Sequence, residues 1–108
     1  MQQITITGRL TRDAEVRRIS GRDVLAYTVE CHEQSPEGEV ITYYSCFDRA
    51  SGAVESLTEG CSVSVCGSLS LREQTRGGKI YLSASIRVSS CEVQSFRRTN
   101  HEIEFARI

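Results

Sequence analysis

From Ser62 to Leu71 the chain alternates between two residue classes. Val63, Val65, Leu69 and Leu71 fall on one side; Ser62, Ser64, Cys66, Ser68 and Ser70 fall on the other. A period of two over this length is a strand with one face on a core and one facing outward. Gly67 falls where an inward side chain is due, which suits a bulge or a sharp bend at a barrel corner. The same period runs through most of the chain. Gln2 to Leu10 is a first strand, with Ile4 and Ile6 alternating with Thr5 and Thr7. Val24 to His32 is a second, with Leu25, Tyr27, Val29 and Cys31 on its inner face. Ser35-Pro36-Glu37-Gly38 is a turn, and Glu39 to Phe47, rich in β-branched and aromatic residues, is a third. Ser62 to Leu71 is the fourth. Arg76-Gly77-Gly78-Lys79 is a hairpin tip leading to the fifth, Ile80 to Val88. There Ile80, Leu82, Ala84, Ile86 and Val88 are expected inward, and Tyr81, Ser83, Ser85 and Arg87 outward.

Period two stops between Arg49 and Leu57. Ser51 is a cap candidate there, Ala53, Val54 and Leu57 make a small apolar face, and Glu59-Gly60 ends the stretch. This is the place for a short helix. Three strands, one helix and two strands is the element string of the OB-fold. The predicted fold is therefore all-β: a five-stranded OB-fold barrel with one short helix between strands 3 and 4. Another small barrel or a sandwich is the alternative. Residues 1–95 are expected to form the domain and 96–108 a polar, charged tail that carries Ile103, Phe105 and Ile108.

Charge adds a second pattern. The net charge of −1 rules out a global basic field, so only the local arrangement of cations can attract a polyanion. Twelve of the 13 cations are arginine, and Lys79 is the one lysine. Arginine offers a planar fork to phosphates and a flat face to bases. Arg9, Arg12, Arg17, Arg18 and Arg22 follow one another closely after the first strand breaks at Gly8, in a cationic, turn-forming segment. Glu30, Glu33, Glu37 and Glu39 surround a different hairpin.

Other chemistries find little support. The 5 cysteines contain no C-x-x-C, and His32 and His101 are not at zinc-finger spacing, so no metal or other cofactor is expected. Each cysteine sits in or beside a strand-like run, as a small hydrophobe would. No Ser–His–Asp set, P-loop or H-E-x-x-H occurs. Cys31 and His32 adjoin on a strand and point to opposite faces. The expectation is not an enzyme. No apolar run is long enough to span a bilayer, and the first residues lack a signal-peptide pattern, so a cytoplasmic protein is expected.

Two blocks of residues carry a family resemblance. The first is Gly8-Arg9-Leu10-Thr11-Arg12-Asp13-Ala14-Glu15-Val16-Arg17, then Gly21, then Val24-Leu25-Ala26-Tyr27-Thr28-Val29. The second is Gly60-Cys61-Ser62-Val63-Ser64-Val65-Cys66-Gly67-Ser68-Leu69. In this order, over about residues 3–95, the chain resembles the bacterial single-stranded DNA-binding proteins. The resemblance implies binding of single-stranded DNA without sequence specificity, in DNA replication, recombination or repair. It also implies a homo-oligomer, with a tetramer favoured over a dimer. Such proteins stack bases on exposed aromatics along a cationic groove. Tyr43 matches one stacking position. The next two hold Arg49 and Gln74, and Ala14 stands where the family has proline. The last residues, Phe105-Ala106-Arg107-Ile108, do not match the family's acidic, Phe-ending tip, so the recruiting role of that tip is not carried over.

The expected nucleic-acid-binding residues are Arg9, Arg12, Arg17, Arg18, Tyr43, Arg49, Arg72, Arg76, Lys79 and Tyr81. Arg72, Arg76 and Lys79 flank a hairpin that OB-folds use on oligonucleotides. Tyr81 suits a ligand platform and a subunit interface equally. Tyr27 suits the core, and Phe47, at a strand end, suits either side. With two stacking positions changed, binding is expected to be weaker and more salt-sensitive than in a typical member. The alternative is a primosomal accessory-like OB-fold protein acting through replication or primosome proteins. A purely structural or small-ligand barrel is a third reading.

Overall fold

The computed structural model describes residues 2–49 and 56–95. Among them, six strands build one sheet: β1 (Gln2–Leu10), β2 (Glu15–Ile19), β3 (Arg22–Ser35), β4 (Gly38–Arg49), β5 (Ser62–Arg76) and β6 (Lys79–Ser95). The strand order is β1-β5-β6-β4-β3-β2, and β1 also pairs with β3. The pairing therefore runs from β1 through β5, β6, β4 and β3 and returns to β1. Every pair is antiparallel except β4 with β6, which run parallel from Tyr44↔Ala84 to Phe47↔Arg87.

The alternation read from sequence points the core inward as expected in β3 and in the first half of β5. Leu25, Tyr27, Val29, Cys31, Val63 and Val65 are all buried. They meet Ile6 and Leu10 of β1, Cys46 of β4, Ile86 of β6, and Leu57 and Cys61. Among the described residues no polar or charged side chain is buried. Backbone hydrogen bonds tie the segment before β5 to the end of β1: Leu10 N–H donates to the Cys61 carbonyl at 3.0 Å and Gly60 N–H to the Leu10 carbonyl at 2.9 Å.

Two glycines let this sheet curve tightly. A Cβ on Gly8 would overlap the Glu30 carbonyl, and one on Gly67 would overlap the Arg87 carbonyl. The β5–β6 register shifts between Cys66 and Gly67, which is the irregularity expected there.

The structure corrects the sequence reading in three places. The arginine-dense stretch after Gly8 is not only a turn: Glu15–Ile19 is strand β2, paired along β3 from Glu15↔Ala26 to Ile19↔Arg22. Every residue of β2 is exposed, so it carries no apolar alternation to announce it. Leu71, Ile80 and Leu82 were expected inward and are 54%, 69% and 68% exposed. The reason is length. β1 covers β5 only as far as Leu69, and β4 covers β6 only from Ala84, so residues 71–82 form a two-stranded arm with no core beneath it. The strands are also longer than their alternation suggested, β6 reaching Ser95.

The helix expected over Arg49–Leu57 falls mostly outside the described residues; of its ends, Arg49 closes β4 and Leu57 is buried in the core. The 96–108 tail also lies outside them. No helix among the described residues is long and apolar enough to cross a membrane.

The five thiols are free. Cys46 is buried in the core, and burial, reinforced by Cys91, Cys31 and Asp48, pushes its thiol up to about 12. Burial, then a hydrogen bond with Cys91 and the Asp48 carboxylate, raises the Tyr27 phenol. Its hydroxyl donates to Asp48 Oδ2 at 3.4 Å.

Candidate nucleic-acid interface

Register decides which side chains share the outer face of the sheet. On β4 the positions alternating with buried Cys46 are Ser45, Phe47 and Arg49. Phe47 lies opposite Arg87 of β6, and Arg87 lies opposite Ser68 of β5. From that row the face continues up the arm through Ser70, Arg72, Gln74 and Arg76 on β5. On β6 it continues through Ser85, Ser83 and the register position of Tyr81 to Lys79. No carboxylate interrupts these positions. At the other edge, Arg17 of β2 lies opposite Val24, which lies opposite Arg49.

Three shallow grooves meet at Phe47. One is lined by Arg12 and Arg17, with Asp13 and Glu15 beside them, and by Thr28 and Ser45. A second runs along Ser68, Ser70, Ser85 and Arg87. A third is flanked by Arg22, Arg49 and Arg87, with Asp23 and Asp48 also in its lining. An aromatic ring bordered by guanidinium groups and serine hydroxyls offers a stacking surface beside phosphate donors. Among the described residues no group of three or more His, Cys, Asp or Glu is placed to hold a metal.

The residues expected from sequence divide into three sets, with Tyr81 placed by register alone. Arg12, Arg17, Arg49, Arg72, Arg76 and Lys79 line the grooves or the arm's outer register. Arg17 also holds Glu15 at 2.8 Å, an exposed pair worth little. Arg9 and Tyr43 lie together at a second, more acidic patch. Arg9 faces Glu30 across β1 and β3, and Glu30 faces Tyr43 across β3 and β4. The Tyr43 ring is 55% exposed, and its hydroxyl donates to Glu30 Oε1 at 3.3 Å. Glu59 lines the same groove as Arg9 and Tyr43. Arg18 stands apart, one position out of phase with Arg17. It bonds Asp23 Oδ1 at 3.1 Å and the Gly21 carbonyl at 3.2 Å. Tyr81 takes the register position opposite Gln74, and Arg76 donates to Gln74 Oε1 at 3.4 Å.

Beside Tyr43, His32 sits between two carboxylates. Its Nε2 is 3.4 Å from Glu30 Oε1 and its Nδ1 is 3.2 Å from Glu39 Oε2. Those hydrogen bonds, Glu39's first and Glu30's next, raise the imidazole pKa above its ordinary value.

Phe47, Arg87 and Arg22 belong to this surface and were not among the expected site residues. The signal for Arg87 was its place in the outward set of the fifth strand. For Phe47 it was the parity it shares with Tyr43. For Arg22 it was its place at the end of the arginine cluster.

The fold has solved counterparts. A small single-stranded DNA-binding protein from Streptomyces coelicolor superposes with a TM-score of 0.67 at 19% identity, over 86% of this chain and 94% of that one. The Plasmodium falciparum SSB, solved in complex with ssDNA, superposes with a TM-score of 0.68 at 16% identity, over 88% of this chain and 96% of that one. No curated protein sequence matches this chain. The model of the single-strand binding protein family matches residues 1–93, which takes in all the residues that build the grooved face. On that match the chain belongs to the single-strand binding protein family and binds single-stranded DNA.

Proposed function

We propose that the chain coats single-stranded DNA without sequence preference, along the outer face of β4, β6 and β5. One observation carries this reading. Phe47, Arg49, Arg87, Arg72, Arg76 and Lys79 fall on one register stretch, Ser45–Arg49 of β4, Lys79–Arg87 of β6 and Ser68–Arg76 of β5, whose outward positions hold no carboxylate, in a chain whose net charge is −1. Guanidinium groups take phosphates and rings take bases, and neither contact distinguishes one base from another. Phe47 and Tyr43 are the stacking side chains, with Tyr81 as a third platform on the arm. Arg12, Arg17 and Arg22 extend the phosphate track at the β2 edge, and Arg9 contributes beside Tyr43. Arg18, held by Asp23, adds little.

The setting is that of the family: replication, recombination or repair of DNA, by a binder and not an enzyme, in the cytoplasm. The closed circuit of strand pairing supports a five-stranded OB barrel formed by β1, β3, β4, β5 and β6, with β2 as an added flap. Residues 1–95 act as the DNA-binding domain and 96–108 as its tail. The chain works as a homo-oligomer, a tetramer in preference to a dimer, which light scattering tests. Fluorescence anisotropy with labelled oligothymidine and a mixed-sequence oligonucleotide of equal length tests the binding mode. Similar affinity for both supports it; strong preference for one sequence contradicts it.

A second reading has its own observation. Leu71, Ile80 and Leu82 project from the arm's other face. A primosomal accessory-like protein acting through protein contacts would use such a stripe. Replacing all three with serine tests it: loss of replication-protein capture with DNA binding kept supports it, and unchanged capture contradicts it.

A further inference from the structure

The patch around Tyr43 has a charge problem. Glu30, Glu39 and Glu59 surround it, and Arg9 is the single cation in its grooves. A phosphate approaching a base stacked on Tyr43 meets this net negative charge. His32 is the one group there that can change sign near neutral pH.

Its surroundings are well defined. From its own strand Glu30 reaches Nε2, and from β4 Glu39 reaches Nδ1. From β1, Arg9 and Thr7 line the same groove; β5 and β6 contribute only the uncharged Ser62 and Gln94. Both ring nitrogens therefore face carboxylates, an arrangement that a doubly protonated imidazole satisfies and a neutral one does not. Glu30 is shared, because its Oε1 also accepts the Tyr43 hydroxyl. The imidazole and the aromatic ring are joined through one carboxylate.

We propose that His32 is a proton-controlled element of the DNA interface: charged, it offsets Glu30 and Glu39 and strengthens single-stranded DNA binding at Tyr43; neutral, it leaves that patch repulsive. The inference rests on the reading that Tyr43 takes a base. Binding is then linked to proton uptake, and affinity rises as pH falls through the imidazole pKa. Between pH 8.5 and 5.5 the expected gain is roughly two- to fivefold, the range of one exposed charge pair.

The experiment is oligothymidine anisotropy on the full chain from pH 5.5 to 8.5 at fixed low salt, with an imidazole NMR titration of the same samples. Wild type is expected to tighten toward acid. His32→Gln is expected to bind as wild type does at pH 8.5 and to stay flat. His32→Lys is expected to bind tightly throughout. Glu39→Gln is expected to lower the imidazole midpoint and to carry the binding midpoint down with it. His101→Gln should keep the full pH response. A flat wild-type profile overturns the proposal, and so does a slope that persists in His32→Gln. Tyr43→Leu at pH 8.5 tests the underlying reading separately: unchanged affinity removes Tyr43 from the site, whatever His32 does.

Discussion

Replacing Phe47 with leucine isolates the stacking contribution of one ring. Phe47 is part-buried at the point where three grooves meet, opposite Ala26 on β3 and Arg87 on β6. Leucine keeps an apolar side chain of similar bulk and loses the π face. A base stacked on an aromatic contributes about 1–3 kcal/mol by alanine substitution. Leucine still covers part of the base, so the lower half of that range applies, about 1–2 kcal/mol. At about 1.4 kcal/mol per decade this is roughly a 5- to 30-fold rise in Kd. The assay is anisotropy with labelled oligothymidine, beside a thermal melt of the free protein. The melt should shift little, because a volume-conserving apolar exchange costs less than about 1.5 kcal/mol. If Phe47→Leu binds within twofold of wild type while its melt is unchanged, the grooved face is not where bases stack.

Further outcomes follow from other parts of the molecule. Gly67→Ala should destabilise the fold by about 1–3 kcal/mol or more, seen as a lower urea midpoint, because its Cβ would meet the Arg87 carbonyl and β4 prevents β6 from retreating. Arg18→Ala should leave DNA affinity within twofold, because that side chain is held by Asp23 and is out of phase with the grooved face. Cys46, raised from 9.0 to about 12, should stay unalkylated by iodoacetamide at pH 8 in the native protein and label once unfolded. The same shift makes the folded state resist ionisation. Its stability contribution is whole below pH 9.0 and is lost as pH climbs toward about 12, so the urea midpoint should fall across that interval.

Much of the fold can be read in the chain because alternation reports which way a side chain points. Leu25, Val29, Val63 and Val65 announce buried faces and are buried. Alternation does not report what lies beneath a face. Leu71, Ile80 and Leu82 follow the inward parity of their strands, yet the neighbouring strands end before reaching them. β2 escapes for the opposite reason: both its faces are exposed, and the only strand it pairs with is β3. For the site, the cations of the β5–β6 arm follow from local alternation and the hairpin tip. Phe47 and Arg87 do not. They meet only because β4 and β6 run parallel, a contact between strands separated by the whole of β5, and no local pattern encodes it.

The central claim is that the arginine-bearing stretch around Phe47, from Arg49 of β4 across Arg87 of β6 to the β5–β6 arm, carries the DNA. Its most direct test is the salt dependence of oligothymidine binding for wild type against an Arg49→Ala, Arg87→Ala double variant. For single strands each phosphate contact contributes about −0.7 to the slope of log K against log salt. Loss of two contacts should flatten the slope by roughly 1.4 and weaken binding most at low salt. A double variant with the wild-type slope and affinity would contradict the account and place the DNA elsewhere on the protein.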